Sequence, residues 1–436
     1  MRVLPVVGFV LGSLLVNSIA QAQSITSDNS LGTTVGTLDN RNFLITGGRA
    51  AGTNLFHSFS NFSVPTGGSA TFNTLGTPGI TTIFSRVTGS NLSSIDGRII
   101  APANLFLLNP NGVVFGANAQ LLVSGSFVGT TASSLRFADG SEFSSTNTAS
   151  PLLTMSVPVG LQFGQNSGAI QVQGSGHTLS SQNAIVAPYL PTSLSFSGLR
   201  VQVGRTIALV GGDVALDGGI LSAPGGRIEL GSVGSGQVGI QATAQGFTLD
   251  YAAVSGFKNI QMRQRSLLDV GTLLDPLGRS AGSIQVQGNH IQMHEGSLLL
   301  SQNRGLLPGG ELKVRAAGLL ELKGTTPNER VMSGILSETS GLGASGNLTV
   351  SAQRFVMQNG SILQSRTFSP APSGNVTIHA ADSIQMDGLS PTTNAFNVIA
   401  TATFFTSGAS APPVKTGRSG NLTVSTRQLM MRDGSY

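Results

Sequence analysis

Gly346-Asn-Leu-Thr-Val-Ser-Ala-Gln-Arg-Phe-Val-Met-Gln-Asn-Gly360 places two alternating triplets, Leu348-Thr-Val350 and Phe355-Val-Met357, between glycines 14 residues apart. Alternation with a period of two means short strands with one face buried. The frame recurs four more times. Its front is Gly282-Ser-Ile-Gln-Val286, Gly310-Glu-Leu-Lys-Val314, Gly374-Asn-Val-Thr-Ile378 and Gly420-Asn-Leu-Thr-Val424. Each front is followed after the same 14-residue interval by Gly296, Gly324, Gly388 and Gly434. The second apolar pair keeps its offset in Ile291/Met293 and Leu429/Met431. It falls one residue later in Leu320/Leu322 and Ile384/Met386, a bulge-sized variation inside a fixed spacing.

Successive front glycines stand 28, 36, 28 and 46 residues apart. A unit constant at its front and variable at its back describes a solenoid with insertions at one corner. Strands this short, with Gly or Asn-Gly at the corners, predict a parallel β-helix, each coil bonded to the coils above and below. A propeller needs four strands and aromatic signatures in each unit, and this chain has no Trp and only 6% aromatics. The glycine load and the period exclude a helical array. Residues 197–231 have the same texture at tighter spacing, so no linker is expected between front and back. Residues 130–148 read as an excursion from the coil, and 367–373 and 391–416 as loops leaving it. No polar cap follows the fifth unit, which suggests a truncated or unprotected end.

Composition agrees. Gly contributes 58 of 436 residues and charged residues only 10%, which suits long β structure rather than disorder. The pI of about 10.1 comes from a net charge of only +5 with few groups to titrate near neutrality: five His, three Tyr and no Cys. No basic run stronger than Arg263-Gln-Arg265 exists, which argues against nucleic acid as a partner. Zero cysteines exclude disulfides and thiolate sites. At the N-terminus, Arg2, the apolar 3–19 and Ala20-Gln21-Ala22 predict a signal peptide over 1–22, with the mature chain starting at Gln23. No other stretch is long and apolar enough to span a bilayer as a helix, and no series of barrel strands appears.

Catalytic sets are hard to find. His290 and His294 flank a strand and lack a third ligand at motif spacing. His57 alternates with Phe56 and Ser58 and reads as a packed polar residue of the first coils. Asp213 and Asp217 point the same way about 13 Å apart, too far for a carboxylate pair. Asp382 and Asp387 lie near corners. No catalytic residue, metal site or cofactor is expected. A polysaccharide-active enzyme on a β-helix stays as an alternative, although the 19 acidic residues do not cluster. Asn347, Asn375 and Asn421, each following a front glycine, suggest an asparagine ladder.

One stretch carries more than periodicity. In Asn104-Leu-Phe-Leu-Leu-Asn-Pro-Asn-Gly-Val-Val-Phe-Gly116 an apolar run, 105–108, and Val113–Phe115 flank Asn109-Pro110-Asn111-Gly112, a tight turn. Proline presets φ there, and asparagine and glycine tolerate left-handed conformations. Around it, in order, come Ile45-Thr-Gly-Gly48, Asn54-Leu-Phe-His-Ser-Phe59, Ile83-Phe-Ser-Arg-Val-Thr-Gly89, Ser94-Ile-Asp-Gly97 and Gly125-Ser-Phe127. Together these segments resemble the N-terminal domain of filamentous-haemagglutinin-like, two-partner-secretion exoproteins. The likeness is close over about 23–150 and looser behind. Better-known members carry a second Asn-Pro-Asn upstream; here the corresponding region reads Phe62-Ser-Val-Pro-Thr-Gly67.

The resemblance implies an all-β chain, a right-handed parallel β-helix with N-terminal capping and extra-helical β-hairpins. It divides the chain into a signal peptide (1–22), a secretion domain (23–150), continuing coils (151–260) and repeats (261–436). It implies a partner, an outer-membrane two-partner-secretion β-barrel transporter. It also implies passage through the periplasm of a Gram-negative-type bacterium to the surface or medium. Asn109, Pro110, Asn111 and Gly112 take the place of the secretion motif. An adhesin-like role, with a carbohydrate or protein on a cell surface as ligand, follows from the family. A toxin whose active part lies beyond Tyr436 is the other alternative.

Overall fold

The computed structural model describes residues 24–147, 153–193, 197–272, 278–391, 394–404, 416–433 and 435. The expected signal peptide, the last repeat glycine Gly434 and half of the 391–416 loop lie outside these residues.

The described chain winds through stacked coils, each giving short strands to up to three parallel sheets. The first sheet contains Asn54–Phe62, Thr82–Val87, Asn104–Leu108, Phe127–Thr130, Thr206–Gly211 and the start of Arg227–Thr243. It continues with Ser283–Gly288, Leu312–Ala316 and the front halves of Leu348–Gln358, Val376–Asp387 and Leu422–Met431, which makes eleven coils among the described residues. One residue from each strand stacks in register: Leu55, Ile83, Leu105, Phe127, Ile207, Ile228, Ile284, Leu312, Leu348 and Val376. None is more than 1% exposed, whereas Leu422, in register on the last coil, is 44% exposed. The second triplet of each unit builds a second sheet, where Ile260, Ile291, Leu320, Phe355 and Ile384 form a similar buried column. The inward columns form one continuous apolar core along the helix.

The repeat glycines have two different reasons. A Cβ on Gly346 would stand 1.9 Å from the carbonyl oxygen of Gly310, and one on Gly374 would stand 2.3 Å from that of Gly346. The front glycines therefore stack where coils approach too closely for any side chain. The rear glycines turn a corner in the left-handed region, with φ +77° at Gly296, +75° at Gly324 and +82° at Gly360. The one-residue offset between units is absorbed at the corner between the first two sheets, where the register steps at Ala352/Arg354 and Ala380/Ser383. The asparagine ladder is present: Asn375 N donates to Asn347 Oδ1 at 2.9 Å, and Asn421 N to Asn375 Oδ1 at 2.8 Å.

The N-terminal end is capped. Ile25–Ser27 runs antiparallel to Asn54–Phe62, and the hairpin of Thr33–Thr37 and Asn42–Gly47 places Phe43 and Ile45 in the core. Two excursions cover outer faces. Residues 131–147, 153–163 and 233–257 build an antiparallel sheet from Ser134–Phe137, Glu142–Ser144, Pro158–Phe163, Gly246–Asp250, Val254–Phe257 and the back of Arg227–Thr243. Beneath it the outward residues Phe56, Phe84, Phe106 and Val128 are buried, with Phe56–Phe84 and Phe84–Phe106 ring centroids 5.2 and 5.0 Å apart. The run 105–108 is unbroken because both faces of its strand are buried. The second excursion, 176–193, lies along the third sheet, over Leu298–Asn303, Ser333–Thr339 and Ser361–Thr367.

Candidate functional site

The Asn109–Gly112 turn sits at the corner between the first and second sheets of the third coil. Gly112 N donates to Asn109 O at 3.1 Å, closing the turn, and Asn109 Oδ1 accepts from Asn111 N at 3.0 Å. Among the four residues only Gly112 takes a positive φ, +128°; Asn111 does not need the left-handed conformation its type would tolerate. Asn109 is fully buried. Its Nδ2 donates to Asn91 O and Ser93 Oγ, both at 3.0 Å, and its N donates to Thr130 O. Asn111 Nδ2 donates to Gly89 O at 2.8 Å, and Pro110 O accepts from Gly168 N at 2.8 Å. The turn thus ties the corner of the coil before it, 89–93, to the corner of the coil after it, 168–169. Pro110 is half-buried and Asn111 exposed. Upstream, Phe62–Gly67 fills a different place: Val64 bridges Ile95, and Pro65 O accepts from Gly68 N.

Residues weighed for chemistry are kept apart. His57 is buried between Phe59 and Phe72, with Nδ1 3.2 Å from Thr33 Oγ1. Burial holds its pKa down at about 4. Asp217 pairs with Arg263, whose Nη2 donates to Oδ2 at 2.7 Å, while Asp213 accepts from Asn259 N. His294 lies 3.5 Å from Glu321, and His290 is not part of that contact. Asp382 accepts from Gln353 Nε2, and Asp387 is on the strand Val376–Asp387. Among the described residues no three His, Asp or Glu converge to hold a metal, and no helix is long and apolar enough to cross a membrane.

Four buried charges, Arg86, Glu229, Glu338 and Arg366, escaped the sequence reading. Arg86 reaches Ser58 Oγ at 2.9 Å and Ser144 O at 2.5 Å. Arg366 pairs with Glu338 at 2.8 Å, with the arginine side chain 0% and the glutamate 4% exposed. Glu229, paired with Arg227, is fully buried, and burial raises its pKa to about 7. The available signal was a lone charge inside an apolar or hydroxylic strand, as in Ile83-Phe-Ser-Arg-Val87 and Ser361-Ile-Leu-Gln-Ser-Arg-Thr367.

The described residues thus define a parallel β-helix, capped at its N-terminal end, with this turn locked into its early coils. Residues 23–286 match the TPS secretion domain, and the chain belongs to that family. Membership implies export through a two-partner system, across the outer membrane of a Gram-negative bacterium, with a transporter there as the partner. Two solved structures are similar. The HMW1 secretion domain from Haemophilus influenzae has 13% identity and a TM-score of 0.41, covering 94% of this chain and 100% of that one. A filamentous hemagglutinin secretion domain has 15% identity and a TM-score of 0.39, covering 92% of this chain and 100% of that one. Comparison with curated proteins finds no match.

Proposed function

We propose that this chain is an adhesin-like exoprotein whose secretion motif is Asn109-Pro110-Asn111-Gly112. The observation that carries the motif is the position of Asn109, buried and bonded to the preceding corner while Asn111 faces solvent. In an extended chain all four side chains are open to a transporter, and pairing with a partner strand would use their backbone. Once the turn closes, Asn109 is withdrawn and three coils are tied together. The same four residues would then serve first as a label and afterwards as the seed of stacking. Residues 1–22 act as the signal peptide, 23–150 as the part read first, and 151–260 and 261–436 as coils that extend the helix outside.

The surface role is structural and binding, with a carbohydrate or protein of a cell surface as ligand class. The carboxylates support this reading over catalysis, since each of those weighed sits in its own ion pair, strand or backbone contact. The test is co-expression of the full chain with and without its partner transporter, followed by quantification in the medium and on washed cells. Transporter-dependent appearance is expected. Equal amounts without the transporter would contradict the proposal.

A further inference from the structure

Residues 176–193 leave the fourth coil and lie over coils that come much later in the chain. The root of this strap is held locally: Gly176 N donates to Gly218 O and His177 N to Arg265 O, both at 2.9 Å. Some of its packing, on Ile220 and Leu267, is also local. Its body is held from beyond residue 286, where the family match ends. Arg366 Nη1 donates to Ala184 O and Ile185 O at 3.1 and 2.8 Å, and Nη2 to Ala187 O at 2.9 Å. The same guanidinium donates from Nε to Glu338 Oε2 at 2.8 Å and lies 5.1 Å from the Tyr189 ring centroid. Gln302 Nε2 donates to Tyr189 O at 2.6 Å, and Met332 N donates to Tyr189 Oη at 3.2 Å.

We propose that residues 178–192 form a late-closing strap. It stays open while the first six coils stack, and it is clamped by Arg366 and Glu338 only when the ninth coil has been laid down. A buried arginine and glutamate are costly unless both are present and their remaining hydrogen bonds are filled. Here strap carbonyls fill three of them, so the ion pair and the strap complete each other. Closure joins residues within the matched secretion domain to the repeats beyond it. The seventh to ninth coils then cannot unzip backwards without breaking that buried pair. The proposal concerns folding order, so it stands or falls independently of which transporter carries the chain.

The test is pulsed hydrogen exchange with mass spectrometry during refolding of the mature chain, residues 23–436. The probes are the strap amides of Ala187 and Thr192, which donate to Asn183 O and Thr178 O at 2.9 Å. The expected result is protection of 206–232 first, with strap protection appearing together with that of 361–367. In folded Arg366→Met, strap amides should exchange about 100-fold faster, the scale of stranding one member of a buried pair, while 206–222 is unchanged. Strap protection that coincides with 206–222 would overturn the proposal, as would unchanged strap exchange in folded Arg366→Met. The refolding experiment on the unaltered chain decides the order even where the variant does not fold.

Discussion

The guanidinium of Arg86 lies 4.9 Å from the Phe143 ring centroid, joining a strand of the second coil to a hairpin outside the helix. Its Nε and Nη1 reach Ser58 Oγ and Ser144 O, and burial lowers its pKa while Asp28 offsets part of that effect. One side chain therefore fastens the N-terminal cap, the first coil and the antiparallel cover. Arg86→Met should leave Ser144 O without this donor and cost about 3 kcal/mol, the scale of breaking a buried charged network. Denaturant titration measures the loss, and limited proteolysis should place the first cuts within 134–147.

The two glycine positions of the repeat should respond differently to alanine. At Gly346 the new Cβ would meet a backbone carbonyl at 1.9 Å, which no side-chain motion relieves, so Gly346→Ala should cost about 3–4 kcal/mol. At Gly324 nothing lies within 4 Å of the new Cβ and φ is +75°. Only the left-handed backbone opposes that change, at about 1–2 kcal/mol. Thermal melts of the two variants should rank in that order.

Buried titratable groups give opposing pH responses. His57 and His177 have pKa values lowered to about 4 by burial, so the stability they confer is complete above the unfolded value of 6.5 and is lost as pH falls towards 4. Glu229 has its pKa raised by burial to about 7 from 4.5, so its contribution is complete below 4.5 and is lost as pH rises through 7. Glu229→Gln should therefore gain up to about 3 kcal/mol over the parent at pH 8 and nothing at pH 4. Chemical denaturation at both pH values measures it. A gain of the same size at pH 4 would contradict this linkage.

The repeat was legible because it is a period. The 14-residue glycine interval and the x-apolar-x-apolar fronts follow directly from coil geometry, and the one-residue offsets became corner steps. The Asn109 turn was legible as a turn, from proline and glycine chemistry. Its burial was not, because Asn91, Ser93 and Thr130 bond to it from other coils. Arg86, Glu229 and Arg366 were missed for the same reason. A charge in a strand looks solvated until the excursions that cover it are placed, and 176–193 has no period to announce that it folds over coils formed far later.

The central claim is that Asn109-Pro110-Asn111-Gly112 labels this chain for export and then locks its early coils. Asn109→Ala removes the Nδ2 bonds to Asn91 O and Ser93 Oγ and should cost about 2 kcal/mol of stability. Asn111→Ala removes the Nδ2 bond to Gly89 O at an exposed position and should cost under about 1 kcal/mol. The most direct measurement is secretion of the Asn109→Ala/Asn111→Ala double variant, co-expressed with the partner transporter, beside the unaltered chain. Its amount in the medium should fall to that seen without the transporter. Undiminished secretion would contradict the claim.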